Sequence, residues 1–181
     1  MRAVAKRVGA PVMTLYTHFD NKEELLDLMY AEVARRLYAD NQSPSWQAEI
    51  LAACRQYRRT LVEHPKWAPL LSRTAKPVVV PFRDRVIAQM QEDGIPADKA
   101  LAGLSGAMLL TFGLTLVELT LGALEGEPKV PFGETSFETI PGNTEPPPPL
   151  RSMLRIDQAK NLEFVVGTYV RGLEAGARQA G

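Results

Sequence analysis

The sequence predicts an all-α protein. A short helix-turn-helix region with its connecting helix occupies 1–39, and a larger helical body occupies 40–181. Three observations carry this. Apolar residues recur at three- and four-residue intervals along most of the chain. Glycine and proline punctuate those runs at helix-length spacing. No convincing run alternates apolar and polar residues, and Val78–Val80, the one β-branched cluster between prolines, is too short to be a core strand. A chain of 181 residues with 45% apolar and 23% charged residues is ordinary for a soluble globular protein and long enough to bury a real core.

The elements follow in order. Residues 1–8 form a helix that Gly9 terminates. Pro11 opens a second short helix over 11–18, close behind the first, as in a helix-turn-helix. Asp20 is placed to cap a third helix, with Glu23 three residues later as in a capping box. That helix carries Leu25, Leu26, Met29, Val33 and Leu37 and ends near Ala39, before Asn41, Ser43 and Pro44. A fourth spans about 46–63 and stops at His64-Pro65. A short helix or turn lies near Trp67–Ser72, another helix over 81–93, and a long apolar one over 97–124. Residues 126–156 hold seven prolines and three glycines, so a long loop or lid is expected there. A last helix covers 157–178, with Leu162, Val166, Tyr169, Leu173 and Ala177 on one stripe.

Composition narrows the function classes. The formal net charge is zero, so any basic footprint is local. Arg2, Lys6 and Arg7 precede the first acid, Asp20. The single cysteine, Cys54, permits no internal disulfide and reads as a small helix residue. No leader pattern opens the chain, so a cytoplasmic protein is expected. Ala100–Val117 has no charge, but Gly103, Ser105, Gly106, Thr111, Gly113 and Thr115 dilute it, and Glu118 follows. A buried helix explains it better than a membrane span, which stays as the rival reading. With two histidines and no Gly-rich phosphate loop, HExxH or CxxC, no catalytic residue, metal site or cofactor is expected.

The stretch "RAVAKRVGAPVMTLYTHFDNKEELL" at 2–26 carries the chemistry. A helix entering the major groove presents small or adaptable side chains to base edges. Val12, Met13, Thr14 and Thr17 fit that role. Leu15 and Phe19, four apart, point into a core. Tyr16 and His18 carry donors for phosphate oxygens, and Lys22 opens the next helix beside its free N–H groups. Arg2 and Lys6 lie one turn apart. Patterning alone leaves an amphipathic packing unit equally open.

The segments "VAKRVGA", "LYTHF" and "NKEELL" resemble, in order and spacing, the tetracycline-repressor (TetR) family of bacterial regulators. The resemblance covers about 30 of the 181 residues. It implies phosphate contacts at Tyr16, His18 and Lys22, base contacts at Val12, Met13, Thr14 and Thr17, and a base-reading arginine at Arg2. The residues at 12 and 13 depart from those of the tetracycline repressors themselves, so a different operator is expected. Family members carry a further helix before this point, so Met1 is expected to be an internal methionine of a longer reading frame.

The resemblance also implies an effector-binding and dimerisation domain over 40–181. Bulky side chains Trp67, Phe82, Met90, Met108 and Phe112 lie on segments able to converge on an apolar ligand, and Glu118 is a lone acid able to anchor it. Tyr38 ends the helix joining effector to DNA, and His64 reads as a helix-end residue. Gly167, Gly172, Ala175 and Gly176 permit close helix approach, and the last helix with 97–124 could form a four-helix interface between two copies. A homodimer on palindromic operator DNA, released by a small apolar molecule, is the implied mechanism. A ligand-binding dimer unable to bind DNA without the preceding helix is the alternative, ahead of a membrane-associated protein.

Overall fold

The computed structural model describes residues 1–38, 43–71, 81–124 and 156–179. Every regular element among them is helical: α1 (Arg2–Val8), α2 (Val12–Leu15), α3 (Lys22–Tyr38), α4 (Trp46–Glu63), a 3-10 turn (Pro65–Trp67) running into α5 (Ala68–Leu71), α6 (Pro81–Glu92), α7 (Ala97–Leu124) and α8 (Gln158–Gln179). The proline-rich stretch 126–155, Val78–Val80 and the expected boundary at 39/40 lie outside the described residues.

Local chemistry accounts for the ends. Gly9 terminates α1 at φ 71°, a left-handed conformation that a residue with a Cβ adopts at a cost. The cap of α3 differs from expectation by one residue. Asn21 Oδ1, not Asp20, accepts from the Glu24 N–H at 3.0 Å. Glu24, not Glu23, reaches back to the Asp20 N–H at 2.6 Å. The stretch "DNKEE" offers two overlapping cap registers, and the turn leaving Phe19 selects the second. Ser45 caps α4 by accepting from the Ala48 N–H, and Asp157 caps α8 by accepting from those of Ala159 and Lys160.

The main core joins α4, α6, α7 and α8. Trp46, Ile50, Val86, Met90, Leu104, Leu162, Val166 and Val170 are its buried apolar mass. Burial on this scale contributes about 25 cal/mol per Å² of apolar surface. Polar links trim its edges: the Trp46 indole donates to Asp93 at 2.8 Å, Arg85 donates to buried Glu49, and Arg55 ties α4 to Glu163 of α8.

Helix α7 is long and apolar enough to cross a membrane by length and composition. Here it is the central packing helix. Ala100, Leu104, Ala107, Thr111, Thr115 and Leu119 face inward at helical spacing. The threonines avoid orphaned hydroxyls by donating to carbonyls one turn back: Thr111 to Ala107, Thr115 to Thr111. Close approach to α8 rests on Gly106, where a Cβ would sit 2.1 Å from the Tyr169 hydroxyl oxygen. Gly167, Gly172 and Gly176 of α8 do not take part in this contact within the chain. An added Cβ on Gly172 or Gly176 meets nothing within 4 Å, and at Gly167 it meets the end of Arg171 at 3.4 Å.

Candidate functional site

Two regions bear on function. The first is α1, α2 and the start of α3. Ala5, Leu15 and Phe19 form a small buried cluster of their own, with Met1, Val12 and Leu25 packed against it. This cluster holds α2 at a fixed angle. The segment after Pro11 winds tightly. Thr14, Tyr16, Thr17 and His18 each donate a backbone N–H three residues back, so α2 is one turn plus a tight continuation, shorter than the expected 11–18 helix.

The cluster directs most of the expected contact residues outward. Met13 is 77% exposed, and Arg2, Thr14, Tyr16, Thr17, His18 and Lys22 are exposed with it. The Thr17 hydroxyl donates to the Thr14 carbonyl at 2.7 Å, which leaves its methyl and its acceptor oxygen for a partner. Val12 is the exception. It is half-buried against the Leu15 cluster, because it follows Pro11 on the inner side of the turn. Of the residues expected at base edges, Met13, Thr14 and Thr17 are thus the exposed ones.

The second region joins this unit to the body. Tyr57, Leu61, Ala68, Leu70 and Val33 form a buried cluster, rimmed by half-buried Leu26, Tyr30, Trp67, Leu71, Met108 and Phe112. Helix α3 thus serves both regions: Leu25 packs on the DNA-side cluster, Leu26, Tyr30 and Val33 on this one. Met29, expected on the apolar stripe, is exposed instead. Phe112 meets Tyr57 edge-on, with centroids 6.5 Å apart. Trp67 stacks on His64 at 4.4 Å.

The expected effector residues therefore separate. Trp67, Met108 and Phe112 come together at this cluster. Phe82 and Met90 do not: both are sealed in the main core, since α6 packs on the N-terminal half of α7, away from the cluster. Tyr38 lies at the end of α3, and its side chain is outside the described residues. Glu118 is not a lone acid. Arg58 of α4 engages it through two hydrogen bonds, Nε at 2.8 Å and Nη2 at 2.6 Å, with both side chains about four-fifths buried. A bidentate pair in that setting fixes α4 against α7. Tyr30, Tyr57 and Arg58 were not expected here. The spacing of Leu26, Tyr30 and Val33 was the available signal for Tyr30; a tyrosine or arginine within α4 carries none. No group of three metal-ligating side chains exists among the described residues.

A three-helix unit presenting polar groups and Met13 around a short helix, mounted on a helical body through one connecting helix, is the architecture of helix-turn-helix DNA-binding proteins. Comparison with known proteins agrees. Residues 1–29 match the model of the bacterial regulatory proteins, tetR family. A helix-turn-helix type transcriptional regulator of Saccharopolyspora erythraea is 31% identical over 128 residues, covering 70% of this chain and 51% of that protein. The chain thus spans about half the length of that relative. A candidate TetR family transcriptional regulator of Streptomyces coelicolor A3(2) superposes with a TM-score of 0.69 at 18% identity, covering 96% of this chain and 88% of the other. The TetR family protein ActR of Streptomyces coelicolor, in complex with (S)-DNPA, superposes at 0.65 and 18% identity, covering 97% and 86%. Residues 1–29 thus match the TetR family of bacterial regulators, and the chain has the fold of solved structures described as members of that family.

Proposed function

We propose that this chain is a ligand-responsive DNA-binding transcriptional regulator, a repressor released from a palindromic operator by a small, largely apolar molecule. The observation that carries the reading is the outward face of α2 and its flanks, where Arg2, Met13, Thr14, Tyr16, Thr17, His18 and Lys22 stand exposed around a buried Leu15–Phe19 anchor. Tyr16, His18 and Lys22 suit phosphate oxygens, which fix register, and Met13 with the threonines suits base edges.

Two further observations support the rest. On α7, Leu101, Leu109 and Val117 form an exposed apolar row, and Phe164 on α8 is exposed too. Leu109 and Phe164 are each 70% accessible. That outer face suits pairing with a second copy, which would present two α2 helices to two half-sites. The half-buried rim around Tyr57 suits an effector, and the similarly folded ActR is known with a small molecule bound. Ligand then lowers DNA affinity only as far as it prefers the non-binding arrangement.

The test is fluorescence anisotropy of the chain against labelled DNA flanking its own gene. Salt-sensitive, sequence-selective binding that a cell extract reverses is expected. Binding no tighter to that DNA than to random duplex would sink the operator reading and favour a ligand-binding dimer without DNA affinity.

A further inference from the structure

We infer that the operator is read chiefly through thymine methyl groups, by the exposed apolar groups of Met13, Thr14 and Thr17 on α2 and the turn after it. The inference rests on the regulatory reading above and assigns the class of base pair that α2 selects. The first sign is what the DNA-facing segment lacks. Between Arg7 and Asp20 the chain reads "VGAPVMTLYTHF". Arginine and lysine pair with guanine edges, asparagine and glutamine with adenine, aspartate and glutamate with cytosine. None of these six residue types occurs there. The basic side chains fall on either side, Arg2, Lys6 and Arg7 on α1 and Lys22 at the start of α3. A guanine contact from this unit therefore falls to α1, not to α2.

The fold sorts what remains. Leu15 and Phe19 are buried, and Val12 is half-buried against them. Met13, Thr14 and Thr17 stand outside. The Thr17 hydroxyl commits its proton to the Thr14 carbonyl at 2.7 Å. Thr17 thus offers a base edge its methyl and an acceptor oxygen, not a donor. Tyr16 is drawn back against the buried anchor, its ring tilted on that of Phe19 with centroids 6.2 Å apart. His18 lies beyond α2, in the turn to α3. What α2 carries forward is therefore a thioether chain and threonine methyls. Among the four bases only thymine presents an apolar group in the major groove, its C5-methyl. A thioether chain as exposed as that of Met13 gains by burial against such methyls, and its flexibility lets it follow them.

The test is selection of duplexes from a randomised pool by the whole chain, then anisotropy on the selected site synthesised with thymine or with uracil. Uracil removes the C5-methyl and leaves every hydrogen-bonding group in place. One methyl buried against the protein is worth roughly fourfold in affinity, so loss of two or more should weaken the selected site by at least about tenfold. Random duplex should bind equally with either base. Met13→Ala should shrink the thymine-over-uracil ratio. Thr17→Ser, which keeps the hydroxyl that donates to Thr14, should shrink it too. Equal binding of the thymine and uracil forms of a selected site overturns the inference and leaves the regulatory reading standing. A ratio that survives undiminished in both variants also overturns it, since the methyls are then read from elsewhere. If no sequence is enriched over random duplex, the regulatory reading fails and the methyl reading with it.

Discussion

Phe164→Ser separates an interface side chain from a core one. Phe164 lies on α8 between Leu162 and Val166, both buried, yet 70% of it is accessible. Gly103 meets Leu173 and Gly106 meets Tyr169, so α7 and α8 run antiparallel and Phe164 falls near the level of Thr111, beside exposed Leu109. If a second copy covers this face, each Phe164 gains about 1.5–3 kcal/mol by burial. A two-fold dimer contains two, so the substitution costs roughly 3–6 kcal/mol of association. The dimer dissociation constant should then rise on the order of 10²–10⁴-fold. Because the side chain contributes little inside one chain, folding of the isolated protomer should change by about 0.5 kcal/mol or less. Sedimentation equilibrium over a dilution series measures the first quantity, and urea unfolding at concentrations where both proteins are monomeric measures the second. An unchanged dimer constant would refute the interface assignment. A variant that unfolds instead of dissociating would show that Phe164 belongs to the core.

Other expectations follow from the same structure. Lys22→Ala should weaken DNA binding uniformly across sequences and flatten the log–log salt dependence by about one per protomer, as loss of one phosphate contact requires; an unchanged slope removes Lys22 from the DNA contacts. The Arg55 guanidinium holds Glu163 below its ordinary 4.5. Its folded value being depressed, the stabilisation is fully present above about 4.5 and is lost as pH falls through the lower folded value. Glu163→Gln should therefore lose less stability than the parent between about pH 5 and pH 3, by less than about 1 kcal/mol because the pair is largely exposed; parallel acid limbs would contradict this. Burial pushes the Cys54 thiol up to about 11, so iodoacetamide at about pH 8 should leave it unmodified in the native protein and alkylate it in urea. Rapid native labelling would mean that the α4–α7 contact opens readily.

The one-dimensional pattern carried the helices and the DNA-facing unit because both rest on local physics. The 46–63 and 97–124 helices are set by periodicity and by the residues that stop them, and α2 by a proline entry and the Leu15–Phe19 spacing. Local rules also explain where the reading slipped. "DNKEE" contains two legitimate caps, and only the turn after Phe19 chooses between them. The grouping of the bulky side chains of the helical body was partly legible. Trp67, Met108 and Phe112 do share a cluster, but size and apolarity do not say which of two neighbouring cores a side chain joins, so Phe82 and Met90 were grouped with them.

Sequence by itself determined the resemblance at 1–29, the all-α class, the helix order and the burial of Leu15 and Phe19 that leaves the residues around them exposed, since each depends on residues within a few turns of one another. Tertiary structure alone decided that Glu118 is clasped by Arg58 sixty residues away, that Gly106 lets Tyr169 close against α7, and that Phe112 meets Tyr57 edge-on. Those outcomes depend on how distant helices meet in space, and no spacing along one helix encodes the partner waiting on another.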